Sequence, residues 1–156
     1  MKIALLLLLI LALCLTGCSH EPAAPSYQFD DLSIQIPEDY INLSDEAFAD
    51  SVDFVYSKDP VAINGLREEK ATFQAYGLEL DLQAYGKLLL KSNNVSTQLT
   101  EKDGIPTFTY TSGDFTYVVT LWETEEAFWT VQAYCPTADY SKVKGDIWEI
   151  LSSVTV

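Results

Sequence analysis

The sequence predicts an α+β fold in which an antiparallel β-sheet is covered by helices. The order of elements is the first reason: strands, a helix, a strand meander, then a last helix. The second is periodicity, with apolar residues alternating in the strand segments and recurring at helical spacing in two others. The third is the aromatic content: all three tryptophans, nine tyrosines and seven phenylalanines follow residue 18, which suits a packed aromatic core.

The first 17 residues read as a secretory signal. Lys2 precedes the unbroken apolar run Ile3 to Leu15, 13 residues long, against the roughly 20 that a membrane-crossing helix needs. The run ends in Leu15-Thr16-Gly17-Cys18, which resembles the bacterial lipobox. The resemblance implies cleavage before Cys18 and a diacylglyceryl group on its sulfur. Two acyl chains make a stable anchor where one does not. The expected location is the outer face of a bacterial cell membrane. Ser19 to Ser26, with Pro22 and Pro25, completes a tether from the lipidated Cys18. Extended, those eight residues reach about 25 Å. Residues 27–156 are expected to form one domain.

Within it, Tyr27 to Phe29 and Leu32 to Ile36 form a hairpin around Asp30-Asp31. Pro37 ends the second strand. Ser44 is expected to cap a short helical turn through Asp50, with Asp45 and Glu46 at its positive end. Val52 to Ser57 and Val61 to Arg67 are strands, Gly65 marking a bulge. Asp81 caps a helix carrying Leu82, Tyr85, Leu88 and Leu89, and Ser92-Asn93-Asn94 stops it. Val95 to Thr100 and Ile105 to Thr111 pair across a turn containing Asp103-Gly104. Gly113-Asp114 and Thr124-Glu125 separate the strands Phe115 to Glu123 and Glu126 to Cys135. Pro136 breaks the sheet. Thr137 or Asp139 opens a final helix with Tyr140, Val143, Ile147, Trp148, Ile150 and Leu151. Val154 to Val156 is a tail.

Behind a lipobox precursor, several segments carry a resemblance. They are Ser33-Ile34-Gln35-Ile36-Pro37, the middle helix, Asp103-Gly104-Ile105-Pro106, Phe108-Thr109-Tyr110 and a last helix ending Ser152-Ser153-Val154. Over Tyr27 to Val156 they resemble the PsbP-like (Mog/PsbP) small lipoproteins. The resemblance implies an α/β/α sandwich around an antiparallel sheet. It also implies a partner-binding, accessory role in a larger machine. It transfers no functional residue.

Little in the chain suggests catalysis. The single histidine, His20, lies in the tether, so no Ser-His-Asp or Cys-His site forms within the domain, and no histidine-based zinc site. No glycine-rich phosphate loop occurs. Cys14 leaves with the signal and Cys18 takes lipid, so Cys135 stays a free, buried, inert thiol. No cofactor, metal or catalytic residue is expected. The formal charge of −14, −15 once Lys2 is lost, disfavours nucleic acid. The carboxylate clusters Asp30-Asp31, Asp45-Glu46 with Asp50 and Asp53, Glu68-Glu69 and Glu123-Glu125-Glu126 read as a solvated acidic face. None has the spacing of a calcium loop. Asn42-Leu43-Ser44 and Asn94-Val95-Ser96 match the glycosylation sequon by chance.

One surface invites binding. A threonine-rich sheet face (Thr107, Thr109, Thr111) studded with Trp122, Phe128 and Tyr134 is the candidate platform, mixing aromatics with hydroxyls. The reading is a membrane-anchored, extracytoplasmic, non-enzymatic accessory lipoprotein with a protein partner. The rivals are a receptor or sensor for a small ligand or cation, and an exported carboxylate hydrolase working through acids about 5–10 Å apart.

Overall fold

A computed structural model of the chain describes residues 24–46 and 51–156. β1 (Ser26–Phe29) and β2 (Leu32–Gln35) form a separate hairpin, registered from Ser26 opposite Gln35 to Phe29 opposite Leu32. Asp30 takes a positive φ of 47° in its turn, a conformation that Asp tolerates. The main sheet has β3 (Ile41–Asn42), β4 (Phe54–Lys58), β5 (Val61–Glu69), β6 (Thr100–Lys102), β7 (Ile105–Ser112), β8 (Phe115–Glu123) and β9 (Ala127–Pro136). Its order is β3-β4-β5-β9-β8-β7-β6, with every pair antiparallel.

This order follows from where the chain leaves the sheet. After β5 it forms α1 (Lys70–Ala75) and α2 (Leu82–Ser92), returns at the far edge as β6, and meanders back until β9 lies beside β5. α3 (Thr137–Ser152) then turns onto the opposite face.

Each face buries its own cluster. On one, Trp129, Val131, Ala133 and Cys135 of β9 pack with Phe54 and Tyr56, the hairpin residues Leu32 and Ile34, and Ile147, Ile150 and Leu151 of α3. On the other, Tyr85 of α2 packs on Phe108, Val119, Leu121 and Phe128. Each large apolar side chain fully buried contributes about 1.5–3 kcal/mol. The result is a three-layer α+β arrangement: hairpin and α3, antiparallel sheet, then α1 and α2. The predicted fold class stands. Among the described residues no helix is long and apolar enough to cross a membrane.

Local chemistry explains most boundaries. Asp81 accepts from the Ala84 N–H at 2.7 Å and so caps α2. Asp103 and Gly104 both have positive φ (53° and 82°) between Lys102 and Ile105, the two-residue turn that suits the twist of a hairpin. The tail is tied in: Thr155 bridges to Ser33, with both backbone bonds at 2.8–2.9 Å.

Four expectations need correction. Gly65 marks no bulge, because it pairs in regular register with Phe54. The Phe54 ring occupies the space that a Cβ on residue 65 would need. Residues 95–99 are not strand; β6 begins only at Thr100. The Val95 N–H bonds the Leu90 carbonyl at 2.9 Å, and Leu99 packs where a Cβ on Gly86 of α2 would stand. Ser44 starts no helix within the described residues; its hydroxyl accepts from the Val55 N–H at 3.0 Å. The rest of that expected turn, residues 47–50, lies outside the described residues. The sequence pattern predicts no helix at α1. It follows directly on β5, with Lys70 donating to the Thr124 carbonyl at 2.7 Å and pairing with Glu123 at 2.8 Å.

Candidate functional site

The predicted attachment residue Cys18 and the lipobox residues Leu15, Thr16 and Gly17 lie outside the described residues. Near them the description begins at Ala24, which lines a hollow with Gln35, Tyr40, Lys58 and Ser153. That places the start of the domain at the end of the sheet where β4 turns into β5.

The acidic clusters are largely taken up in structural pairs. Asp31 Oδ1 accepts from Trp129 Nε1 at 2.7 Å and from Arg67 Nε at 3.3 Å. Burial pushes its carboxyl up. Hydrogen bonds from Thr124, Trp129 and Arg67, with the guanidinium charge, outweigh that and hold it at about 2. Asp53 accepts the Arg67 backbone N–H at 2.6 Å, and Glu69 meets the guanidinium at 3.3 Å. Glu68 accepts from the buried Tyr85 hydroxyl at 2.7 Å, and Thr130 Oγ1 lies 2.8 Å from the same oxygen. Burial first, then Glu68, keeps that phenol protonated. Among the described residues no group of three or more His, Cys, Asp or Glu could hold a metal ion. Cys135 is fully buried, and burial, then Asp139, raises its thiol.

The three platform aromatics do not share a face. Trp122 stands opposite Trp129 in the β8–β9 register, so it points to the α3 side, where it packs half-buried on the core. Thr107 pairs with Thr120 and Thr111 with Thr116, which puts the threonine row on that same side. Phe128 and Tyr134 alternate with Trp129 and so point to the α2 side. Phe128 is 1% exposed and stacks on Tyr85 at 4.5 Å. It is core and cannot be a contact surface.

Tyr134 belongs instead to a half-buried aromatic row on the α2 side, with Tyr110 and Tyr117. Tyr110, Tyr117 and Tyr134 occupy one register line across β7, β8 and β9. Their rings stack at 4.8 Å and 5.2 Å, with interplanar angles of 8° and 27°. Phe115, 39% exposed, closes the row edge-on to Tyr134 at 6.2 Å. Burial first, then the neighbouring Tyr117, raises the phenols of Tyr110 and Tyr134. Both remain hydrogen-bond donors at neutral pH. The ladder runs into a hollow of about 220 Å³ beneath the end of α2, lined by Asn64, Leu89, Asn93, Tyr110, Thr130 and Gln132. Amide and hydroxyl groups thus flank an aromatic strip, a composition that suits recognition of another molecule. The signal was present in the sequence. Tyr110, Tyr117 and Tyr134 each fall on an alternate strand position, and the turn at Gly113 sets the first pairing.

Comparison with known proteins gives the fold a name. No protein-family model matches the chain, and no curated protein does. Among solved structures, cyanobacterial PsbP (CyanoP) from Synechocystis sp. PCC 6803 is similar, with a TM-score of 0.54 and 12% identity over 90% of this chain and 96% of that one. A Bacteroides thetaiotaomicron VPI-5482 protein is similar at TM-score 0.54 and 10% identity, over 86% of this chain and 48% of that one. The chain has a PsbP-like fold.

Proposed function

We propose that this protein is a lipid-anchored, extracytoplasmic lipoprotein whose domain is a non-catalytic docking module for a protein partner. The observation behind it is the ladder Tyr110-Tyr117-Tyr134 with Phe115 at its rim. Tyrosine gives a large contact area at low entropic cost together with a polar tip, and is enriched in interface hot spots. Asn64 and Gln132 beside it supply a polar rim.

Anchoring is read from Leu15-Thr16-Gly17-Cys18 and the apolar run before it. With the tether entering near Lys58, and Tyr134 paired with Ala62 just past the β4–β5 turn, the ladder sits at the tether end of the sheet. A partner in or beside the membrane is therefore within reach. The accessory role draws support from the PsbP-like fold. The non-catalytic reading draws on a lone histidine at position 20 and on carboxylates committed to Arg67, Lys70 and Tyr85.

The test is crosslinking in intact cells with mass spectrometry, comparing the native protein with Tyr117→Ala/Tyr134→Ala. The expected result is a defined membrane or envelope protein captured by the native chain and lost in the variant. Capture of the same protein at the same yield by the variant would overturn the docking face.

A further inference from the structure

One groove is out of keeping with the charge of the chain. It lies between α3 and strands β6 to β8, on the sheet face opposite the tyrosine ladder, as an open hollow of about 500 Å³. The chain has 23 acidic residues against 9 Lys and Arg, yet this groove is lined by Lys102 and Lys144 and by no carboxylate. Neighbouring Asp103 is engaged with the Trp148 indole N–H at 3.2 Å. The Lys102 ammonium lies 3.7 Å over the Trp148 ring, which holds it at the groove wall. Among the described residues neither lysine has a carboxylate within 4.0 Å.

A second feature points into the same space. Gly145 lies mid-helix in α3, where glycine weakens a helix relative to alanine. A Cβ there would meet nothing within 4 Å, so packing inside the protein does not require glycine. A molecule resting against the helix backbone in the groove would require it. The exposed Thr109 and half-buried Tyr140 also line the groove, as do the buried apolar Val118 and Ile147.

We propose that this groove binds a small acidic sugar. Lys102 and Lys144 hold its carboxylate, the hydroxyls of Thr109 and Tyr140 meet its hydroxyls, and its ring rests against Gly145. The volume falls within the roughly 300–1,000 Å³ of small-molecule sites. Ammonium groups supply the charge-assisted bonds that distinguish an acidic sugar from a neutral one.

The test is NMR titration of the full-length protein in detergent with galacturonate, glucuronate and digalacturonate, with galactose as the neutral control. The Gly145 amide and the Trp148 indole are the reporters. At least one acidic sugar is expected to shift both saturably, and galactose is not. Lys144→Ala is expected to weaken binding about tenfold, the loss of one charge-assisted bond. Gly145→Ala is expected to weaken binding while raising the melting temperature by about 2–4 °C. That combination separates a ligand role from a structural one. No saturable shift with any acidic sugar, equal binding of galactose, or native affinity in Gly145→Ala would overturn the proposal.

Discussion

Replacing Asp31 by Asn tests how the hairpin is fastened to the sheet. Asp31 sits in the β1–β2 turn and joins Trp129 of β9 and Arg67 of β5 through a single oxygen. Its carboxyl is held at about 2, against an ordinary 3.8. Taken whole, that difference corresponds to about 2.5 kcal/mol of preference for the ionised folded state. The side chain is 33% exposed, so solvent screening reduces it to about 1–2 kcal/mol. Because folding depresses the value, the contribution is complete above the unfolded carboxyl value near 4. It is lost as pH falls from about 4 through about 2. Asparagine keeps an acceptor for the indole but removes the charge opposite Arg67. Urea unfolding of both proteins at pH 7 and at steps down to pH 2 should show Asp31→Asn weaker by about 1–2 kcal/mol at neutral pH. The gap should narrow as acid protonates the native carboxyl. Equal stability at pH 7, or a gap that stays constant into acid, would refute the reasoning.

Two further outcomes follow from packing and burial. Gly65→Ala should cost about 1–3 kcal/mol, read from the urea midpoint, because its new Cβ meets the Phe54 ring. That ring cannot swing aside: Phe29 stacks on it at 4.3 Å, and it is fully buried. Burial first, then Asp146 and Asp39, lifts the Tyr40 phenol to about 12. The folded state thus favours neutral Tyr40, and its stabilising effect, complete below pH 10, fades as pH rises from 10 to 12. Tyr40→Phe should flatten that alkaline loss in melting temperature measured against pH.

Fold class was legible in the sequence because its signals are local. Asp81 caps α2 through its own side chain, Asp103-Gly104 makes a turn by backbone preference alone, and β9 alternates buried with half-buried residues from Trp129 on. What escaped depends on partners distant in sequence. α1 is six residues long with none buried, too short for a helical period to register. Residues 95–99 have the composition of a strand, but Leu99 is drawn to the gap at Gly86. The platform failed at one step. Alternation assigns faces within a strand, but only the register opposing Trp122 to Trp129 relates β8 to β9. The same register assembles the tyrosine ladder from residues that look unremarkable singly.

The proposed anchor at Cys18 has the widest consequence, since it would place the domain at a membrane and the ladder near its surface. The direct measurement is intact-mass analysis of the N-terminal peptide from the native protein, with membrane fractionation of native and Cys18→Ala chains. The account predicts a mature chain beginning at Cys18 with a diacylglyceryl group on its sulfur, found in the membrane fraction. It also predicts a Cys18→Ala protein that is released or left unprocessed. A processed Cys18→Ala chain still held in the membrane, or a native mature chain without lipid, would contradict it.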